Sequence, residues 1–304
     1  MSVILLKSPF EDKFRDVLSQ TKQEIVFSSP YINSAGVSIL LDSLGNTTDK
    51  SIHILTNLSA RNIIENVTQP AALLKIYDTF NEITVSSLNK LHAKVYIVDE
   101  SYAIITSANL TYGGLKTNFE YGVLIDDLKS IKTIKQDVLD YVSLGHIFDK
   151  TFLTKIYEES KKIEQVQEKP SKERKDFELR LLLEQGQKID DIFISHYENK
   201  ETRHGIFAKT VKFLLQTHNQ LTILELYELV KDIHSEMCDD AIEYHKEKRW
   251  KIEVRQALFF WRRKGIIVGN GTPHHQIWSL NKESPQLAAG IQALEETNEN
   301  YGDE

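Results

Sequence analysis

Up to about residue 125 the chain alternates between two rhythms of apolar residues. Runs of period two at 2–6, 23–28, 51–56, 82–86, 91–98, 102–107 and 119–125 predict strands. Stretches near 9–20, 34–44 and 70–80 repeat at helical spacing. Strands interleaved with helices predict an α/β sandwich around a central mixed sheet. From about 126 to 165 the pattern turns helical and ends in "EESKKIEQVQEKPSKERKDFE". That stretch is charged, poor in apolar residues and interrupted by Pro170, as expected of a linker or a solvated connecting helix.

Beyond it, "GIFAKTVKFLLQTH", "TILELYELVKDIHSEM" and "RWKIEVRQALFFWRRKG" read as three amphipathic helices. Thr222 is the expected N-cap of the second, and the third is expected to stop at Gly265. "IIVGNGTPHHQIWSL" then reads as two short strands around a glycine-rich turn. Three helices closed by a hairpin predict a winged helix-turn-helix, a mainly α module that sets a helix into the DNA major groove. Trp250, Phe259, Phe260, Trp261 and Trp278 are expected in its core. The predicted layout is a domain at 1–165, a linker or connecting helix at 166–185, the winged-helix domain at 186–281, and an acidic tail at 282–304.

Composition narrows the picture. The 304 residues suffice for two domains, each with its own core. The lone Cys238 excludes an internal disulfide and a cysteine-rich zinc module, and fits a reducing cytosol. No apolar run approaches a membrane span, and the opening "MSVILLKSPFEDKF" is too short and too soon acidic for a signal peptide. A cytoplasmic protein without membrane contact is expected. The net charge of −7 argues against nucleic acid only if the charges are mixed, and they are segregated. Between Tyr244 and Lys264 eight Lys or Arg stand against two acids, whereas the last 23 residues hold one Lys and six acids. Lys248, Arg249, Lys251, Arg255, Arg262 and Arg263 are therefore the expected DNA-binding residues.

The chemistry concentrates in "LHAKVYIVDESYAIITSANLTYGGLKTNFEYGVLI". On the predicted strand 91–98, His92 and Lys94 share one face, while Asp99 falls on the parity of the apolar face and is expected to support rather than touch a substrate. The strand 102–107 delivers Ser107 and, just beyond it, Asn109; the strand at 119–125 opens with Glu120. An imidazole nucleophile, a fixed ammonium, two small hydrogen-bonding groups and a carboxylate suit phosphoryl transfer without a divalent metal, because lysine supplies the positive charge. Glu120 is expected to orient the imidazole. The paired His274 and His275 lack further metal ligands, so no metal or cofactor is expected.

The stretch resembles the phospholipase D superfamily, whose HxKxxxxD motif is met by His92, Lys94 and Asp99. "TSANLTYGGLKTNFE" is similar to that family's downstream half, with Ser107, Asn109 and Glu120, and "FSSPYI" at 27–32 to its second strand. Thr106 stands where the family commonly has glycine before the serine. The resemblance implies a phospholipase D-like fold over the first half of the chain and a covalent phosphohistidine intermediate. It implies two motif copies per active site. No other histidine here has Lys two residues and Asp seven residues on, so a homodimer pairing His92 and Lys94 of both subunits is expected. A single-motif nuclease joined to a DNA-binding module resembles the metal-independent type II restriction endonucleases of that superfamily, whose appended module is instead β-rich. The leading expectation is a DNA endonuclease in restriction or phage defence, with an ATPase or helicase as a further partner. The alternatives are a phosphodiesterase of RNA or phospholipid, and a non-enzymatic DNA-binding regulator.

Overall fold

Residues Val95–Val98 are buried at every position, which only a strand covered on both faces requires. The computed structural model describes residues 3–45, 49–167, 184–189, 191–193, 203–238, 241–244, 247–271 and 276–281. Most of the expected linker, His274 and His275, and the acidic tail lie outside the described residues. The chain divides into two units, residues 1–196 and 197–304.

The first unit runs β1 (Val3–Lys7), α1 (Glu11–Leu18), β2 (Glu24–Ser28), α2 (Ser34–Leu44), β3 (Ser51–Thr56), α3 (Ala60–Ile64), α4 (Pro70–Tyr77), β4 (Glu82–Ser87), β5 (Val95–Val98), β6 (Tyr102–Thr106), β7 (Tyr121–Ile125), α5 (Leu128–Leu144), β8 (His146–Phe148) and α6 (Lys150–Gln167). Its strands form one mixed sheet in the order β1-β7-β6-β5-β2-β3-β4-β8. β2, β3 and β4 are parallel, and the remaining neighbours pair antiparallel. The mixed sheet expected from the alternating rhythms is therefore present. The short β8 interrupts the helical stretch after residue 126 and closes one sheet edge against β4.

Alternation along the strands fills two layers. Val26, Val95, Ile97, Ala103 and Ile125 face Ile131 and Val138 of α5. On the other face Tyr96 packs its ring edge-on to Phe14 of α1 at 5.0 Å between centroids. The helices start where their caps allow. The Asn33 side chain accepts from Gly36 N–H at the head of α2, Pro70 opens α4, and Asp127 caps α5 through Ser130. Residues 184–193, allotted by the sequence to the linker and the second domain, fall within the first unit: Phe193 packs against Phe148 and Phe152.

The second unit comprises α7 (Arg203–His218), β9 (Gln220–Thr222), α8 (Ile223–Ile233), the paired two-residue strands β10 (Glu243–Tyr244) and β11 (Glu247–Lys248), α9 (Arg249–Arg263), β12 (Ile267–Asn270) and β13 (Ile277–Leu280). Thr222 and Glu225 form a reciprocal capping box at the head of α8, and Gly265 follows α9 with φ of 72°. The hairpin β12–β13 takes β9 as a third strand. Trp250 and Trp278 are buried and Phe260 and Trp261 half-buried, but Phe259 is exposed and meets Trp278 only at its edge. Its place on the outer side of α9 is why it leaves the expected core.

Candidate active site

At one end of the first unit's sheet, β2 and β6 finish and β7 begins. The sequence pattern extends β5 back to residue 91, but the strand begins at Val95, whose partners are Ser28, the last residue of β2, and Ile105 near the end of β6. Residues 91–94 have no strand neighbour beyond that point. They are held singly instead: Ser28 Oγ donates to Ala93 O at 2.9 Å, and Thr106 N–H donates to Lys94 O at 3.0 Å. His92 and Lys94 therefore do not project as a matched pair from a strand face. The His92 imidazole is exposed and has no hydrogen-bond partner among the described residues, whereas Lys94 is only 7% exposed and its Nζ donates to the His92 carbonyl at 2.9 Å. Burial pushes the Lys94 ammonium below its ordinary lysine value, and the nearby Glu120 carboxylate pulls it partly back.

Ser107, Asn109 and Glu120 gather at the same sheet end. Ser107 Oγ donates to Glu120 Oε2 and accepts from Tyr121 N–H at 3.1 Å. Asn118 Nδ2 donates to Glu120 Oε1 at 3.1 Å. Glu120 is thus held by a serine and an amide, with no bond to the imidazole it was expected to orient. Its backbone is clamped by Ser8, whose N–H donates to Glu120 O and whose Oγ accepts from Glu120 N–H at 2.6 Å. Asn109 Oδ1 accepts from Tyr31 N–H at 3.4 Å, and Leu110 N–H donates to Ser29 Oγ at 2.9 Å. The "FSSPYI" segment and the "SANLT" loop are thereby stitched together.

Two glycines permit that stitching. A Cβ on Gly36 would lie 2.2 Å from Leu110 O, and one on Gly114 would lie 2.3 Å from Asn109 O. No side chain fits at either place.

Asp99 stands apart. It sits with φ of 51° at the opposite end of β5 from His92, and its carboxylate accepts from Lys22, Gln23 and Glu24 N–H at 2.9, 2.9 and 2.8 Å. Burial raises its pKa, but those three backbone donors outweigh burial and leave it below the usual carboxylate range. It ties the start of β2 to the end of β5. The structure does not bring it to the other five residues.

On β11 and α9, three of the six expected DNA-binding side chains are occupied by acids. Lys248 pairs with Glu243 at 2.7 Å, Arg249 with Glu253 at 3.0 Å, and Arg255 with Glu247 at 2.5 Å. Arg255 also donates to Tyr227 Oη at 2.9 Å. Lys251 lies over the Tyr227 and Trp250 rings at 5.1 and 5.5 Å. Arg262 and Arg263, followed by Lys264, are exposed, and neither arginine is in an ion pair among the described residues.

Known proteins match the region that holds the first cluster. Residues 14–140 match the family model described as cardiolipin synthase, PLD-like domain. This segment is similar to a phospholipase D-like domain. The DISARM protein DrmC of Bacillus paralicheniformis is 44% identical over 62 residues, which are 20% of this chain and 25% of that protein. The chain thus spans about a quarter of that relative's length. Among solved structures, NucT from Helicobacter pylori aligns at 16% identity over 48% of this chain and 99% of its own, with a TM-score of 0.39. Nuc from Salmonella typhimurium, a phospholipase D family member, aligns at 19% over 48% and 97%, with a TM-score of 0.41.

In the first unit, sequence reasoning missed Ser8, Ser29 and Asn118. Ser29 lies inside the quoted "FSSPYI" stretch. Ser8, 112 residues from Glu120, carries no local signal at all. Among the described residues no helix is long and apolar enough to cross a membrane, and no group of three His, Cys, Asp or Glu gathers to hold a metal ion.

Proposed function

We propose that the protein is a DNA endonuclease that cleaves phosphodiester bonds through a covalent phosphohistidine, as a homodimer and without a divalent metal. The observation that carries this reading is the contrast between an exposed His92 and a Lys94 drawn out of water next to it, with Ser107, Asn109 and Glu120 at the same sheet end. The ring nitrogen of His92 attacks phosphorus, forming a P–N bond as the P–O bond to the leaving strand breaks. The leaving oxygen takes a proton from the partner subunit's His92. That imidazole then accepts a proton from water as the water oxygen attacks phosphorus and the P–N bond breaks, which restores His92. Lys94 offsets charge building on the non-bridging oxygens, a task suited to an ammonium with little water around it. Asn109 and Ser107 hold those oxygens in place.

The second unit favours DNA as substrate. Its helices α7, α8 and α9 with the sheet β9-β13-β12 have the element order of a winged helix-turn-helix. In this reading Arg262 and Arg263, with Lys251, meet phosphates, while Lys248, Arg249 and Arg255 hold the module together. The likeness to a DISARM protein favours a role in phage defence; restriction as the form of that role, and an ATPase or helicase as a further partner, are part of the same proposal. A second reading, phospholipid turnover, is favoured by the description of the matched family model.

The deciding experiment incubates the protein with DNA of varied form in EDTA and maps the ends. Cleavage that falls at least about 10⁴-fold in His92→Ala is expected. Release of headgroup from labelled phospholipid with DNA left intact would replace this reading with the second.

A further inference from the structure

Five aromatic side chains are exposed among the described residues, and four of them belong to the segments that carry Ser29, Asn109 and Glu120: Tyr31 at 36%, Tyr112 at 50%, Tyr121 at 57%, and Phe119 fully exposed. Each is fixed to the site through its own backbone or its neighbour's. Tyr31 N–H donates to Asn109, and Tyr121 N–H donates to Ser107. Tyr112 N–H donates to Asn33 Oδ1 at 3.3 Å, and Phe119 lies between Asn118 and Glu120. Three of the rings have a cation for a neighbour. Lys116 lies 5.7 Å from the Tyr112 ring centre, Lys7 is opposite Tyr121 in the β1–β7 register, and Arg61 lies near Tyr31.

We infer that this rim is a stacking platform for unpaired nucleotides on either side of the scissile phosphate, so that the preferred substrate is single-stranded DNA. The inference rests on the nuclease reading above and names its substrate form. In a duplex the base faces are already stacked on each other; an unpaired strand offers each face to a ring and each phosphate to a cation. A ring beside a cation, repeated around a phosphodiester site, fits that polymer. Lys116 is paired with the half-buried Glu11 at 2.8 Å and Arg61 with Glu65 at 2.8 Å; the exposed Arg61–Glu65 pair exchanges readily for a phosphate.

The test uses the full chain carrying His92→Ala, which binds without cutting, and fluorescence anisotropy with a labelled oligodeoxynucleotide, alone and annealed to its complement. The single strand is expected to bind about ten-fold or more tightly than the duplex, and Tyr112→Ala and Tyr121→Ala each to weaken it about ten-fold. Tyr112→Phe and Tyr121→Phe should restore it, since the ring and not the hydroxyl carries the contact; unchanged melting temperatures exclude misfolding. Equal affinity for both forms, or alanine variants that bind as well as the parent, overturns the inference. If those variants instead convert dimers to monomers in sedimentation at unchanged affinity, the rings belong to a contact between copies. Duplex cut in EDTA without single-strand preference removes this inference and keeps the nuclease; no binding and no cleavage of either form removes both.

Discussion

Lys94 in the first unit and Arg255 in the second are both cations drawn partly out of water, and their surroundings treat them in opposite ways. Arg255 is met by both carboxylate oxygens of Glu247 and by the Tyr227 hydroxyl. The hydrogen bonds that Arg255 donates to Glu247 raise its pKa above an already high range, so its charge is permanent and spent. Among the described residues Lys94 has only the neutral carbonyl of His92 as its hydrogen-bond acceptor, and burial depresses its pKa. An ammonium kept without a bonded anion is a poor stabiliser of the fold and a good receptor for a charge that arrives later. A cation's burial alone does not mark a site; its partner does.

That contrast is sharpened most by exchanging each cation for alanine. Lys94→Ala is expected to lower turnover about 10³-fold or more, in line with removal of a group that acts mainly in the transition state, while the melting temperature holds or rises. Arg255→Ala is expected to lower stability by about 2 kcal/mol in thermal or denaturant melts, because Glu247 and Tyr227 lose their common partner. A Lys94 variant that unfolds while an Arg255 variant melts normally would break the comparison.

Asp99 supplies an acidic counterpart on the structural side. Asp99→Ala is expected to cost about 2 kcal/mol for three lost charge-assisted bonds and to leave the chemistry of the folded protein largely intact. Because its folded pKa is depressed, its stabilisation is fully present above the ordinary carboxylate value of about 3.9 and is lost as pH falls through the lower folded value. Melts of the parent and Asp99→Asn should therefore differ above that window and converge below it.

The smallest effect is on the alkaline side. Depression of Lys94 places the upper limb of the activity profile below the ordinary lysine pKa, and Glu120→Gln, by removing the carboxylate that pulls it back, should move that limb to still lower pH. A limb that moves up would show that Glu120 does not act on Lys94.

How much of this was legible in the residues differs by kind of signal. Strand and helix rhythms located the mixed sheet, Thr222 announced a helix start, and Gly265 a helix stop, because each reflects a local demand of the backbone. The clustering of His92, Lys94, Ser107, Asn109 and Glu120 was also readable, since a family pattern of spacings carries their convergence. The orientation of Lys94 was not. It depends on β2 ending opposite Val95, a matter of strand partners that lie 65 or more residues away. The surroundings of the basic stripe were hidden for a related reason: counting charges along a helix says nothing of Glu243, Glu247 and Glu253, which meet three of the six expected DNA-binding side chains in space.

The clamp between Ser8 and Glu120 gives the first strand a part in the chemistry. Those two residues exchange backbone and hydroxyl bonds across 112 positions, and β1 reaches the sheet only through β7, where it forms the outer edge. A chain lacking its first eight residues would keep every motif letter and lose the brace on its carboxylate. In the proposed reading, hydrolytic competence waits until the Ser8 segment has docked beside Glu120, 112 positions further along the chain.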